Sequence, residues 1–431
     1  MEQHGKLVAA AHTLTSHRGP DQLLPSLAAN ETVLIETCSL LTAAVTAHRR
    51  VTPAGEWLLD NFYLIEEQIR TTKRHLPRHY SRGLPSLANG PSAGLPRVYD
   101  MALQIIAHGD ARVDPESLSR FVAAYQTIAP LTLGELWAVP IMLRLALIEN
   151  LRRVAIKIAS DMADRVLASG WADRMRTIAQ TDPKSLVLVI ADMARSDPPM
   201  SAAFVSELVR RLRGHGPALA LPLTWMEQRL SESHQTIEQL VQSGTERQAS
   251  EQVSISNSIA SLRFLDAMDW RKFVENMSVV EQTLRQDPAG VYAGMDFGSR
   301  DRYRHVVERL ALESEASEVD VAHAALELAG ENAVRSDADP RTAHVGFYLV
   351  DAGRSRLERA VETHRSIIGA LRGLASRFPT FVYIGAIVAL TGLFTTSMFV
   401  IADDDGLSRA MLAVVLVVSL LATSQLAVGL V

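Results

Sequence analysis

Along most of the chain, apolar residues return every third or fourth position, the period of a helix with one face turned to a core. After Thr132 and Glu135, the residues Leu136, Val139, Leu143, Leu147, Leu151 and Val154 keep that spacing and predict one long amphipathic helix. Pro140 falls inside it and predicts a kink, because its nitrogen has no hydrogen for the ladder. Helix starts are written plainly. "VTPAGEWLL", "VDPESL", "TDPKSL" and "SDPPM" each place Thr or Asp before a proline, which predicts N-caps at Thr52, Asp114, Asp182 and Asp197. Thr132 and Glu135 have the spacing of a capping box. Alternating β-branched runs are scarce, and "SLVLVIADMA" reads as a buried helix from its length and its cap at Asp182. From Trp225 to Gln248 the chain turns polar, with apolar residues at Met226, Leu230, Ile237 and Val241, a pattern for one long surface helix. Two stretches rich in Pro and Gly, "LPRHYSRGLPSLANGPSAGLPRVYD" and "RGHGPALALPL", interrupt the helices as loops. The predicted fold is all-α.

The pattern changes after Phe378. Phe381 to Ile401 carries no charge, and neither does Ala410 to Val431. At about 1.5 Å per residue each run is long enough for a hydrocarbon core of roughly 30 Å. With only "ADDDGLSR" between them, they predict a two-helix transmembrane hairpin. Arg365, Arg372 and Arg377 precede the first run and only Arg409 lies in the loop, so the positive-inside rule places residues 1–377 in the cytoplasm and loop 402–409 outside, in the periplasm. The organisation expected is an N-terminal helical stretch over 1–50, a helical domain over 51–213, a second helical region over 214–377 with the polar helix near 225–248, and spans at 381–401 and 410–431. The lipid bilayer is then a partner. Because the chain stops within an apolar run, two readings are open: its C-terminus sits at the edge of a bilayer, or it is the front part of something longer.

Composition narrows the function classes. There are 431 residues, room for two or three domains. A net charge of -5 argues against a nucleic-acid partner, which calls for a basic face. The single cysteine, Cys38, leaves no disulfide within the chain and fits a reducing compartment. The first twenty residues lack the basic and apolar blocks of a cleavable signal.

Candidate chemistry is thin. Glu56, Asp60 and Glu67 fall on one face of the helix predicted from Pro53, beside Trp57 and Tyr63; spacing on one helix does not set carboxylates across a substrate, so a solvated acidic face is favoured over a paired-carboxylate sugar site. His75 and His79 are four apart with Pro77 between them, and no further ligand completes a metal set. His4, His12 and His17 read as a frayed end. Arg300, Arg302, Arg304 and Arg309 are interleaved with Asp296, Asp301 and Glu308, which favours surface ion pairing over an anion site. Two Asp-x-Asp matches occur, at Asp337 to Asp339 and at Asp403 to Asp405. The first runs into Pro340 as a helix start, and neither follows a strand. The aromatics Trp57, Tyr63, Tyr80 and Tyr99 allow a glycan platform. No catalytic, cofactor or metal residues are assigned.

"PAGEWLLDNFYLIEEQIR", "GLPRVYDMALQIIAHGDARVDPESLSRFVAAYQ", "LTLGELWAVPIMLRLALIENLRRVA", "VSISNSIASLRFLDAMDWRKF", "DPAGVYAGMDFGSRDRYRHVVERLA" and "AHVGFYLVDAGR" together resemble the N-terminal region of the cyclic β-1,2-glucan synthases, from about Leu23 to the end. The resemblance implies a very large inner-membrane protein of Gram-negative bacteria, with a transferase using UDP-glucose and Mg²⁺ and a phosphorylase-like domain. Neither domain is present here. What it implies for this chain is a scaffold and membrane-anchor segment whose partners are those domains, with no cofactor of its own. The alternative is a stand-alone membrane-anchored interaction module.

Overall fold

The computed structural model describes residues 1–15, 21–76, 80–334, 339–363, 379–404, 411, 416–420 and 422. They divide into two compact units, Met1–Arg285 and Gln286–Val431.

The first unit is wound around one helix. Thr132 Oγ1 accepts from the Glu135 N–H at 3.3 Å and the Glu135 carboxylate accepts from the Thr132 N–H at 2.9 Å, so the capping box forms and starts α7, Leu133–Thr181. Its 49 residues make it about 70 Å long. All six residues of the predicted stripe are buried, and the helix runs on through Pro140. Against its first half pack α2 (Leu23–Thr46), α4 (Phe62–His75) and α5 (Arg97–His108). The end of α11 (Ile237–Ala267) completes that core through Ile255, Ile259, Leu262 and Leu265. Its second half carries a smaller core. There Ala168, Ala172 and Met175 meet α8 (Leu186–Arg195), α9 (Ala202–Leu212) and α10 (Ala220–Ser231) through Met193, Phe204, Leu208 and Met226. The segment α1 (Glu2–Ala11) lies on α6 (Pro115–Gln126) so closely that a Cβ on Gly5 would sit 2.7 Å from the Phe121 carbonyl oxygen.

Local signals decide most boundaries. Thr52 caps α3 (Pro53–Asp60) by accepting from Gly55 N–H, and Asp114 caps α6 through Ser117 N–H. Asp182 caps a single 3-10 turn, Pro183–Ser185, that leads into α8. Asp197 caps nothing. It adopts φ 43°, and Ser201 caps α9 instead, because a second proline steers Pro198 away from helical geometry. The long polar helix expected near 225–248 is two helices. The chain breaks after Ser231, passes through His234 at φ 56°, and restarts with a second capping box between Thr236 and Gln239.

The second unit holds α14 (Phe297–Leu312), α15 (Glu318–Ala333), α16 (Val345–Val350) and α17 (Arg354–Ala360), with α14, α15 and α16 packed on one another. Asp287, with its side chain fully buried, ties it together. Its Oδ1 accepts from Val345 N–H at 2.9 Å. Its Oδ2 accepts from Val291 and Tyr292 N–H at 3.1 and 3.2 Å and faces His344 Nδ1 at 2.7 Å.

The transmembrane hairpin is corrected. Pro379–Asp404 is helical, but among the described residues no helix is long and apolar enough to cross a membrane. The run 410–431 lies outside the described residues except at 411, 416–420 and 422. Freedom from charge gives a segment the composition for lipid, whereas a span needs one unbroken apolar helix of full length. The multi-pass inner-membrane placement, with 1–377 cytoplasmic and 402–409 periplasmic, falls with it; Arg365, Arg372, Arg377 and Arg409 lie outside the described residues.

Candidate functional site

A cleft of about 1150 Å³ opens in the first unit between α1, α2, the start of α5, the middle of α7 and the loop over residues 87–95. Short-range hydrogen bonding builds the loop. Strand Leu14–Thr15 pairs with Ser86–Leu87, Ala88 N–H donates to Thr13 C=O, and Gly94 N–H donates to Leu87 C=O. Gly90 and Gly94 turn it at φ 82° and 81°, a region that favours glycine. The loop brings Ser92 over α5.

The first turn of α5 then reaches two ways. Arg97 donates to both carboxylate oxygens of Glu135, at 2.6 and 2.7 Å, and to the Pro130 carbonyl at 2.7 Å. Glu135 is wholly buried, so the capping-box residue is also the partner of a buried arginine. Three residues on, Asp100 accepts from the Ser92 hydroxyl and from His12 Nε2 at 3.1 Å, while His12 Nδ1 pairs with the Tyr125 hydroxyl at 2.8 Å. The Arg97 guanidinium stands over the Tyr125 ring, 6.0 Å from its centre. One continuous polar chain therefore runs from Ser92 through Asp100, His12, Tyr125, Arg97 and Glu135 to Thr132.

The electrostatics follow. Burial pushes the Asp100 carboxyl up, but hydrogen bonds from His12 and Ser92 outweigh that and hold it below the usual carboxylate range. Burial raises the hydroxyls of Tyr125 and Tyr99 to about 12, so both stay protonated. Burial, and after it the neighbouring His108 ring stacked at 4.6 Å, lowers His4 below the usual histidine value. Arg152 Nε donates to the Glu149 carboxylate at 3.1 Å, while Arg153 donates to the neutral Asn150 carboxamide at 2.7 Å. What faces the cleft is a set of carboxamides, Gln22, Asn30, Asn89, Gln104 and Asn150, with Tyr99 and apolar strips at Leu7, Val33 and Leu103.

Serine, aspartate and histidine are together here in the wrong order for hydrolysis. A base-activated nucleophile needs the histidine between the serine and the carboxylate. Asp100 occupies the middle, and both His12 nitrogens are engaged.

The residues singled out in the sequence lie elsewhere. Glu56 lies in the first turn of α3 and Asp60 ends it, a break at Asn61 follows, and Glu67 belongs to α4; all three are exposed and none lines the cleft. They do not share one helix, since the break separates them. His75 ends α4, and His79 and His17 lie outside the described residues. The frayed N-terminal end is corrected: His4 and His12 are packed into the fold. Among the described residues no group of three His, Cys, Asp or Glu could hold a metal. Arg304 donates to Asp301 at 2.9 Å, an ion pair as expected but with the arginine buried instead of on the surface, and the half-exposed His305 pairs with Glu308. Asp339 caps the turn Pro340–Ala343; Asp337 and the side chains of Asp403 to Asp405 lie outside the described residues. Of the four aromatics only Tyr99 lines the cleft, and Trp57 and Tyr63 are on the surface. Cys38 is buried, its thiol pushed up to about 12 by burial and Glu66.

No family model matches the chain. Among curated proteins, it is 31% identical over 403 residues to the "Cyclic beta-(1,2)-glucan synthase NdvB" of Rhizobium meliloti (strain 1021). That match covers 93% of this chain and 14% of that protein, so the chain spans a small part of its relative's length. The resemblance carried by the sequence motifs is shown: the chain is related to part of a cyclic β-1,2-glucan synthase.

Proposed function

We propose that this chain is a helical scaffold region of a cyclic β-1,2-glucan synthase, positioning other domains rather than making glycosidic bonds itself. On this reading UDP-glucose and Mg²⁺ are used by a transferase domain outside this chain, and that domain and a phosphorylase-like domain are its partners. One observation carries the reading. The titratable groups of the chain from Ser92 to Glu135 are spent on holding helices together, with Asp100 lodged between Ser92 and His12 and Arg97 locked to Glu135. A side chain held at every polar atom makes a stiff wall and a poor acid or base. The relation to the Rhizobium synthase supplies the biological setting.

The test has two arms. The purified chain, given UDP-glucose and Mg²⁺, is expected to release no UDP and form no glucan; glucan formation overturns the proposal. A related synthase deleted for its matching region is expected to lose glucan production and to regain it when this chain is supplied in trans. Undiminished production by the deleted synthase overturns the scaffold role.

A further inference from the structure

The geometry points to the cleft between α1, α2, α5 and α7 as a binding site for a neutral, hydroxyl-rich chain, an oligosaccharide several residues long. Three features select that class.

The first is a polar lining with an unsatisfied group. His4 Nε2 is buried on the lining and has no hydrogen-bond partner among the described residues. A buried polar atom left unpaired is costly, and one that opens on a cleft is satisfied by whatever enters. Asn30, 5% exposed, lines the same cleft. Both groups can donate or accept, as a sugar hydroxyl does.

The second is charge balance. The charged side chains on the walls balance, Asp100 and Glu149 against Arg152 and Arg153, and Glu149 is paired directly with Arg152. An anionic ligand would need a surplus of arginine or lysine aimed inward, and a cationic one a surplus of carboxylate. The carboxamides of Gln22, Asn30, Asn89 and Gln104 carry the polar surface instead. Leu7 and Leu103 supply apolar patches for the C–H face of a pyranose ring, and Leu7 remains 62% exposed although it lies on the cleft.

The third is size. The volume of about 1150 Å³ lies just beyond the roughly 300–1,000 Å³ of ordinary small-molecule sites, which is too large for a monosaccharide alone.

The inference deepens the scaffold reading and draws its biological meaning from it, while binding itself depends only on the cleft. The test is titration of the full chain with linear β-1,2-linked glucose oligomers of increasing length, followed by calorimetry and saturation-transfer NMR. Affinity is expected to rise with length and level off once the cleft is filled. Asn30→Leu and Ala29→Trp, the second filling the cleft from an exposed position on α2, are each expected to weaken binding at least tenfold with circular dichroism and melting unchanged. Glucose alone should bind at least tenfold more weakly than the longest oligomer. Absence of binding by every oligomer at millimolar concentration overturns the inference, as do unchanged affinities in both variants. Tighter binding of an oligogalacturonate of equal length overturns it too, by showing that charge governs entry. Oligomer binding can fail while complementation in trans succeeds, so loss of this inference is distinguishable from loss of the scaffold role.

Discussion

Each unit of the molecule buries an aspartate against a histidine, and the two pairs do different work. In the first unit Asp100 is met by side chains, Ser92 and His12, and His12 passes the contact on to Tyr125. In the second, Asp287 is met mostly by backbone: three N–H groups, from Val291, Tyr292 and Val345, together with His344 Nδ1. The first pair stiffens a cleft wall, and the second pins two loops to the start of a helix. Their histidines differ as well. Both nitrogens of His12 are engaged, whereas His344 Nε2 is turned toward Gly346, where a Cβ would lie 2.6 Å from it and 2.4 Å from the Tyr303 hydroxyl. A carboxylate–histidine contact is therefore not a site by itself. What surrounds it settles whether it is a strut or a tool.

The comparison can be broken hardest at the buried end of the first network. Glu135→Ala leaves Arg97 charged and unpaired in the core and is expected to cost about 3–5 kcal/mol of unfolding free energy by urea titration. Replacing both partners, Arg97→Met with Glu135→Leu, should recover much of that loss, because no lone charge remains.

Asp287→Ala removes an acceptor shared by three N–H groups, two of them buried, and should cost roughly 3 kcal/mol. Hydrogen exchange should show the loss at Val291, Tyr292 and Val345. Equal deprotection throughout Met1–Arg285 would show that Asp287 is not a local pin.

Asp100→Asn is expected to cost about 1–2 kcal/mol at pH 7. Because folding holds the Asp100 carboxyl below its ordinary range, its contribution is present above about pH 4 and is lost as pH falls further. The variant's stability should therefore fall less steeply than the parent's on the acid side; parallel curves would remove the charge argument.

The smallest effect has the opposite sign. Burial first and Asp161 second raise the carboxyl of Glu251, so its ionisation opposes folding, and its contribution is full below the ordinary glutamate range and lost as pH rises. Glu251→Gln should raise Tm slightly at pH 7 and have no effect at pH 3.5.

Most of the helical plan was legible. Caps at Thr52, Asp114 and Thr132 and the apolar stripe of α7 are local features, each decided within a few residues. The division of 225–248 was also written there, in the Thr236 to Gln239 spacing, but the apolar period across it masked the signal. The cleft was not legible. His12 is 88 residues from Asp100 and 113 from Tyr125, and at its own position it looks like an ordinary polar residue near a chain end.

What the sequence determined by itself was the secondary structure and the relation to part of a cyclic β-1,2-glucan synthase, because hydrogen bonding within a helix and the order of motifs are properties of contiguous residues. Which polar residues meet was left to the tertiary structure. Burial raises the cost of an unpaired group wherever the packing of distant helices removes water, and only the folded chain brings Ser92, Asp100, His12 and Tyr125 into one dry place.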